Sequence, residues 1–555
     1  MQGAARSSDL SKATYYWGLL GIFIISLGLR FWGLERLNTF VFDEVYYAKF
    51  ANNYLTHTPF FNAHPPLSQY LIAIGIWLGE KLPFGDGVTN SLTGSVLKTW
   101  SYRWLNALTG SLIPLVIAGL VYQLSDRRRF AFIAGLIAAI DGLFLVESRY
   151  ALNNVYLVLF GLLGQICFLI AVRIHSSLQK WLWLFLAGLI FGCAASIKWN
   201  GLSFLLGIYG IVGAAWLLKG MVHFKNGSLS PSSLSPSSLS PSLTAQEAIP
   251  GNLLHPVHNN LPSASPSNAP IAPPTPVNLC QSITQLPPIA LILGLVILPI
   301  VTYLVLWLPH LQQNPNPGLW EMQQQIWNYH RGKNVIGQVH PYCSNWISWL
   351  IMGIPVAYFY RTGISPYEFL QPNAPSTGSE TPIYAVHAMG NPFLWWMTTI
   401  AILFTIGTVL VRLGKGMAAL THHPSTQSQS ILLTNRFWIL LYLVMNYAAN
   451  LLPWMKISRC AFIYHYMGAS VFAMIALALW LDLALRYPNS PSSNFAKSCI
   501  TLSIVGFIWW MPIYLGLPLA SSQDYRLRMW FDLWIQGRPV QTTPAPEATT
   551  HRLSP

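Results

Sequence analysis

The sequence predicts an all-α polytopic membrane protein, and three observations predict it. The 555 residues are 53% hydrophobic and only 9% charged, where a soluble domain carries about 25% charged residues. Mean hydropathy is +0.43. The apolar residues gather into about eleven separate runs, each near the roughly 20 residues a helix needs to cross the hydrocarbon core. The net charge of +14 is ordinary in that setting, because Lys and Arg collect in cytoplasmic loops. A nucleic-acid partner would ask for a basic soluble surface interleaved with aromatics, and is excluded.

The first run, 15–33, is longer than the roughly 7–15 residues of a signal-peptide core, and no small-x-small cleavage site follows it. It reads as a first span, with Arg6 and Lys12 holding the amino terminus inside. Further spans are expected near 103–123, 130–147, 151–173, 182–198, 200–218, 289–308, 393–411, 434–452, 461–484 and 498–517. Two runs are ambiguous. Residues 67–80 are short and follow Pro65-Pro66; residues 344–360 are broken by Gly353 and Pro355. With neither run crossing, "SDRRR" at 125–129, "RIHSSLQK" at 173–180, "VRLGKG" at 411–416 and "LRYPNS" at 485–490 all face the cytoplasm. That is a consistent positive-inside pattern. Both ambiguous runs are therefore expected to be interfacial or re-entrant helices in outer loops.

Five regions follow. Residues 1–224 form an amino-terminal transmembrane module. Residues 225–287 are a Ser/Pro-rich cytoplasmic insertion, with three "SLSPS" pentads from Ser228 to Ser242; such composition cannot bury a core and is expected to be disordered. Residues 288–343 hold the seventh span and an outer loop. In that loop Leu319, Met322, Ile326 and Tyr329 recur at helical spacing, predicting an amphipathic helix on the membrane surface. Residues 344–535 form a four-span module, and 536–555 a disordered Thr/Pro-rich tail. Of the 6 cysteines, Cys167, Cys193 and Cys499 lie in or beside apolar runs, so no disulfide framework is expected. Cys343 and Cys460 share one face on this parity, where a pair is allowed but nothing calls for it.

The same parity gathers the unusual polar groups on the outer face. Asp43-Glu44 follows the first span, and His64 lies in the same loop. "ESRYALNN" at 147–154, "IKWNG" at 197–201, "HPYCSNWISW" at 340–349 and "LLPWMKISRCAFIYHYM" at 451–467 join them. Each cation alone is explained by snorkelling to the interface. An acidic pair beside several cations on one face points instead to a site, since charge near hydrocarbon is costly. No GxGxxG, no GxxxxGK[ST] and no HExxH motif is present. A carboxylate, cations and aromatics suit transfer from a lipid-phosphate donor to a hydroxyl. The carboxylate takes the hydroxyl proton, and the cations neutralise the leaving phosphate. Neighbours on a helix point about 100° apart, so one of Asp43 and Glu44 can reach an acceptor while the other bonds backbone or a cation. A cap role for the pair is the alternative.

"FDEVYYAKFANNYL…FFNAHPPLSQYLIAIG", "DGLFLVESRYALNNVYLVLF", "GCAASIKWNGLSFLL", "WNYHRG…HPYCSNWISW", "MGNPFLWW" and "LPWMKISRCAFIYHYM" resemble the conserved blocks of protein O-mannosyltransferases. The likeness covers nearly the whole chain except 225–287 and the tail. It implies a GT-C glycosyltransferase fold, a polyprenyl-phosphate-mannose donor, Ser/Thr hydroxyls of exported proteins as acceptors, and inverting transfer at the extracytoplasmic face of the plasma membrane. It implies Asp43 as the base, with Glu44 as its essential catalytic neighbour. Arg149 matches the Arg read as a donor-phosphate contact, and that role extends to Lys198 and Arg459. His64 and His340 match family histidines and, with Tyr464 and His465, are expected to line the site. No metal ligand and no cofactor is called for, beyond at most a divalent cation. Where the family often has "HPPLGK" this chain has "HPPLSQ", and Asn153 or Asn154 stands where many relatives have Asp. The large lumenal domain of the eukaryotic enzymes is missing, which favours a bacterial-type enzyme. A GT-C transferase acting on a glycolipid acceptor is the close alternative. A transporter is the distant one, and it would place its polar groups near the bilayer midplane.

Overall fold

The computed structural model describes residues 9–85, 87–227, 278–331, 340–362, 382–422, 432–457 and 459–538. Among the described residues ten helices are long and apolar enough to cross a membrane, and a bent pair taken as one span brings the number to eleven. Every expected run is present: Lys12–Phe31, Trp104–Ser125, the pair Arg128–Ala139 and Gly142–Arg149, Asn154–Arg173, Ser177–Ala195, Trp199–Met221, Pro288–Gln313, Pro392–Ala418, Asn435–Lys456, Ile463–Ala484 and Pro491–Leu515. The third span bends by 59°. The break falls at Asp141, whose carboxylate caps the second half by accepting from the Phe144 amide at 3.0 Å; a new cap restarts the helix in a new direction.

Burial follows side-chain size. The tenth span reads "MGASVFAMIALALW" and is the most enclosed, with 83% of its apolar window buried against 22% for the first and seventh spans. Small residues let neighbours close on it from all sides. Elsewhere Gly188 of the fifth span faces Gly294 of the seventh so closely that a Cβ would meet the Gly294 carbonyl oxygen at 1.7 Å. That contact coincides with the π-helical turn Leu293–Ile297.

One end of the bundle is basic and tied. Asp9 accepts from the amides of Arg128 and Arg129 at 2.9 and 2.8 Å. Arg127 and Arg129 both pair with Asp482 at the end of the tenth span, and Arg173 pairs with Asp126. At the other end, Leu67–Gly79 is a 13-residue apolar helix, as expected for a segment that does not cross. The second ambiguous run differs from expectation. Only Trp346–Leu350 is helical; after Pro355 the chain becomes the strand Val356–Thr362. It pairs antiparallel with Ile383–Ala388, which pairs in turn with Pro518–Leu519. Pro355 cannot continue a helix, and the β-branched and aromatic residues beyond it suit a strand. The register shifts between Ala357 and Phe359, leaving Tyr358 as a bulge residue.

The amphipathic helix is Leu319–His330. Its apolar face is covered by protein: Met322 and Ile326 are buried with Trp307 of the seventh span, and Leu319 packs against them. Of the insertion and the tail, residues 228–277 and 539–555 lie outside the described residues. The insertion's end needs correction, because Leu279–Thr284 is a helix with Leu279, Cys280 and Ile283 buried. Packed chain thus resumes before residue 287.

Candidate active site

Asp43 is held by its neighbour. Phe42 has φ +54°, a left-handed conformation that costs a bulky residue on the order of 1–3 kcal/mol. Its ring stacks on Tyr358 at 4.2 Å and 7°, and meets Phe462 and Tyr464 edge-on. Those contacts hold the strained turn, and the turn sets where Asp43 points. Asp43 makes no side-chain cap to the helix Glu44–Leu55 that it precedes. Burial raises its pKa to about 6, and the Lys198 ammonium pulls the other way.

Glu44 is different in kind. It is fully buried, and both carboxylate oxygens are occupied. Oε1 accepts from Arg103 Nε at 2.8 Å and the Ala151 amide at 2.9 Å. Oε2 accepts from the other arm of Arg103 at 2.7 Å and the Val41 amide at 2.9 Å. Arg103 also donates to the carbonyls of Leu34, Leu37 and Thr39. Glu44 therefore ties the loop after the first span to the start of the second. Of the expected pair, Glu44 is the member that bonds a cation and backbone, with both oxygens engaged inside the protein.

Arg149 is likewise engaged inside the protein. One terminal nitrogen donates to the carbonyls of Leu29, Arg30 and Trp32 at 2.8, 3.0 and 2.9 Å, and the other to Gly33 at 3.0 Å. These are carbonyls at the end of the first span, where an Arg both satisfies orphan acceptors and opposes the helix dipole. With its terminal nitrogens so committed, Arg149 is absent from the cavity wall, where Lys198 and Arg459 of the expected phosphate contacts do stand.

Those cations meet in a cavity of about 690 Å³, within the 300–1,000 Å³ typical of ligand pockets. Its wall carries Lys198, Arg331, Lys456 and Arg459, the histidines His64, His330 and His465, and the rings of Trp199, Trp327 and Trp454. Among the described residues four basic side chains and no carboxylate line it. Lys198 Nζ donates to Asn154 Oδ1 at 2.9 Å and stands 5.4 Å from the Tyr464 ring centre. Burial lowers its pKa to about 8, while Glu147 and Asp43 act to raise it. Lys198 thus links Asp43 to the cavity: it lines the wall, and its charge bears on Asp43.

His64 stacks on His330 at 5.2 Å, and His330 Nε2 lies 3.1 Å from the Ala63 carbonyl. Burial, then the positive charge of Lys198, holds His64 well below the usual imidazole range. Burial lowers His330 to about 4. Both are neutral at pH 7 and serve as hydrogen-bonding walls. Tyr464 and His465 stack at 4.5 Å at the start of the tenth span. His340 is exposed and lies outside the wall; its ring meets Phe462 edge-on at 5.1 Å. A disulfide joins Cys343 to Cys460, and Ser344 donates to the Ala461 carbonyl at 2.8 Å. Together they brace the segment that presents Arg459.

Sequence reasoning missed Arg103, Glu147, His330 and Tyr358. A second cavity, of about 750 Å³, is walled by Trp32, Phe84, Trp100 and Trp104 and carries no cation. Among the described residues no three His, Cys, Asp or Glu side chains converge on a metal-sized space.

Comparison with known proteins follows the same geography. Residues 21–229 match the family model described as dolichyl-phosphate-mannose-protein mannosyltransferase. Residues 317–534 match the C-terminal four-TMM region of protein-O-mannosyltransferase. The chain is 26% identical to the polyprenol-phosphate-mannose–protein mannosyltransferase of Mycolicibacterium smegmatis, over 89% of this chain and 87% of the relative. It is 24% identical to the protein of that name in Corynebacterium glutamicum, over 94% and 93%. A chain of the Saccharomyces cerevisiae protein O-mannosyltransferase Pmt1-Pmt2 complex bound to the sugar donor superposes with a TM-score of 0.66 at 14% identity, covering 98% of both chains. The fold is thus the GT-C glycosyltransferase fold expected from the sequence.

Proposed function

We propose that this chain, which belongs to the protein O-mannosyltransferase family, moves mannose from a polyprenyl-phosphate-mannose donor to Ser/Thr hydroxyls of exported proteins. The observation that carries the reading is the pairing of a half-buried Asp43, within reach of the Lys198 charge, with a cavity whose described wall carries four cations and no carboxylate. Asp43 takes the hydroxyl proton. The hydroxyl oxygen attacks the anomeric carbon from the face opposite the phosphate. The carbon–oxygen bond to phosphate breaks, and its electron pair leaves with the phosphate. One displacement inverts the anomeric centre.

The phosphodiester carries one negative charge and the released monoester carries up to two. Lys198 and Arg459 therefore meet more charge late in the step than early, which is the condition for catalysis by charge stabilisation. Neutral His64 and His330 are suited to sugar hydroxyls, and Trp199 and Trp327 to apolar sugar faces. The site is read as extracytoplasmic and the membrane as the plasma membrane. The positive-inside pattern and the disulfide between Cys343 and Cys460 at the cavity end favour that orientation, since structural disulfides persist outside the cytosol.

The test is an assay of purified protein with polyprenyl-phosphate-mannose and two acceptors, a Thr/Pro-rich peptide and a glycolipid. Hexose added to the peptide at Ser or Thr is the expected result. Transfer to the lipid alone would move the protein to the other acceptor class.

A further inference from the structure

A second buried carboxylate stands behind the cavity with no part in the mechanism above. Glu147 lies in the last turn of the bent half of the third span, which ends at Arg149, and is fully buried. Its Oε1 accepts from the Tyr358 hydroxyl. Its Oε2 accepts from Asn154 Nδ2 at 2.9 Å, and Asn154 Oδ1 accepts from Lys198 Nζ at 2.9 Å. Lysine has donors only, so the amide must turn its oxygen to Lys198 and its NH₂ to Glu147. The direction of the chain is thereby fixed. Glu147 receives hydrogen bonds on both oxygens, the pattern that suits an ionised carboxylate.

Each link is placed by a different element. Tyr358 is the bulge residue of its strand, and bulges re-aim a side chain. The same ring stacks on Phe42, beside Asp43. Asn154 opens the fourth span, and Lys198 lies in the turn between the fifth and sixth. Glu147 thus reaches both halves of the site, the base through Tyr358 and Phe42, and the cation through Asn154.

We propose that Glu147 is a positioning residue for the transfer step, holding the Lys198 ammonium charged and in place through the Asn154 amide. The proposal rests on the mannosyltransferase reading of the cavity. Of the charges acting on Lys198, Glu147 favours the ammonium most, followed by Asp43, while Arg459 opposes it. Asp43, Tyr358, Asn154 and Lys198 are the groups that act on Glu147. Tyr47 and Tyr464 feel the charge of Glu147, and His64 and His465 that of Lys198. Burial already works against the ammonium, so loss of Glu147 lets Lys198 give up its proton nearer neutrality.

The test is a charge relocation. In Glu147→Gln the alkaline limb of the transfer profile moves toward neutral pH by about one unit, a tenfold loss on that limb. In the double variant Glu147→Gln/Asn154→Asp, the new carboxylate bonds Lys198 directly and the glutamine amide donates to it, so the limb returns. A structural role for Glu147 predicts no such rescue. Lys198 acylation against pH, read by mass spectrometry on detergent-purified protein, follows the same titration without needing transfer. Thermal inactivation checks that each variant is folded.

An unshifted Lys198 titration in folded Glu147→Gln overturns the proposal, as does a double variant as impaired as the single one. A wild type with no transfer, but with the Lys198 shift and its rescue intact, would sink the reading of function and leave the Glu147–Lys198 coupling standing.

Discussion

Two clusters of opposite charge sit at the same end of the bundle and differ in how much of their bonding capacity is spent. In the knot of Glu44, Arg103 and Arg149, the Glu44 carboxylate bonds Arg103 and two backbone amides, and both arginines are fanned onto carbonyls of residues 29–39. Beside the cavity Asp43 caps nothing with its side chain, and on its wall Lys198 gives one bond to an amide and Arg459 one to the carbonyl of Cys460. The knot is close to saturated, with Arg149 Nε its one donor left over, whereas the cavity groups keep the spare valence that the proposed site requires. The residue types are the same in both, so only geometry separates them.

The contrast breaks first at the knot. Glu44→Gln or Arg103→Leu leaves a buried charge unpaired, and is expected to cost about 3–5 kcal/mol of stability. The check is the thermal or denaturant midpoint; a folded variant with a wild-type midpoint and selective loss of turnover would return Glu44 to chemistry. Arg149→Gln leaves carbonyls of the first span short of donors, at a cost of about 1.5–3 kcal/mol. Donor KM should stay unchanged in the protein that remains folded, and a rise in KM with unchanged stability would restore the phosphate contact.

At the cavity the signature is reversed. Arg459→Gln or Lys198→Met should raise donor KM or lower kcat about tenfold, the order of one charge-assisted bond to phosphate, with little change in midpoint. The smallest effect is in pH. Transfer should rise as Asp43 ionises near pH 6 and fall as Lys198 loses its proton near pH 8. A profile flat from pH 5 to 9 would remove one or both from the rate-determining chemistry.

All eleven spans were legible, because a run of about 20 apolar residues has one physical meaning in a membrane. The sheet was not. "VAYFYRT" and "IYAVHA" are short, and their pairing depends on a partner about 25 residues away. Asp43, Lys198, Arg459, His64 and His465 were legible as a group because span parity puts them on one face. The partners of Arg149 are not legible in the sequence: they are carbonyls some 120 positions upstream, and backbone carbonyls leave no trace in the letters. Arg103 and Glu44 are 59 residues apart, with nothing in either stretch to pair them. Glu147 carries a signal, a carboxylate closing the apolar run 130–147, but its place at the run's edge reads equally as the start of the outer loop. His330 lay in a quoted block and simply drew no role.

The most direct test is peptide mannosylation by Asp43→Asn at matched folded concentration across pH 5–9. A general base contributes about 10²–10⁴ in rate. Transfer should therefore fall by that factor, and the residual rate should lose its acid limb near pH 6, with the melting midpoint unchanged. Wild-type transfer with an intact acid limb would contradict the assignment of Asp43 and, with it, the division between knot and cavity.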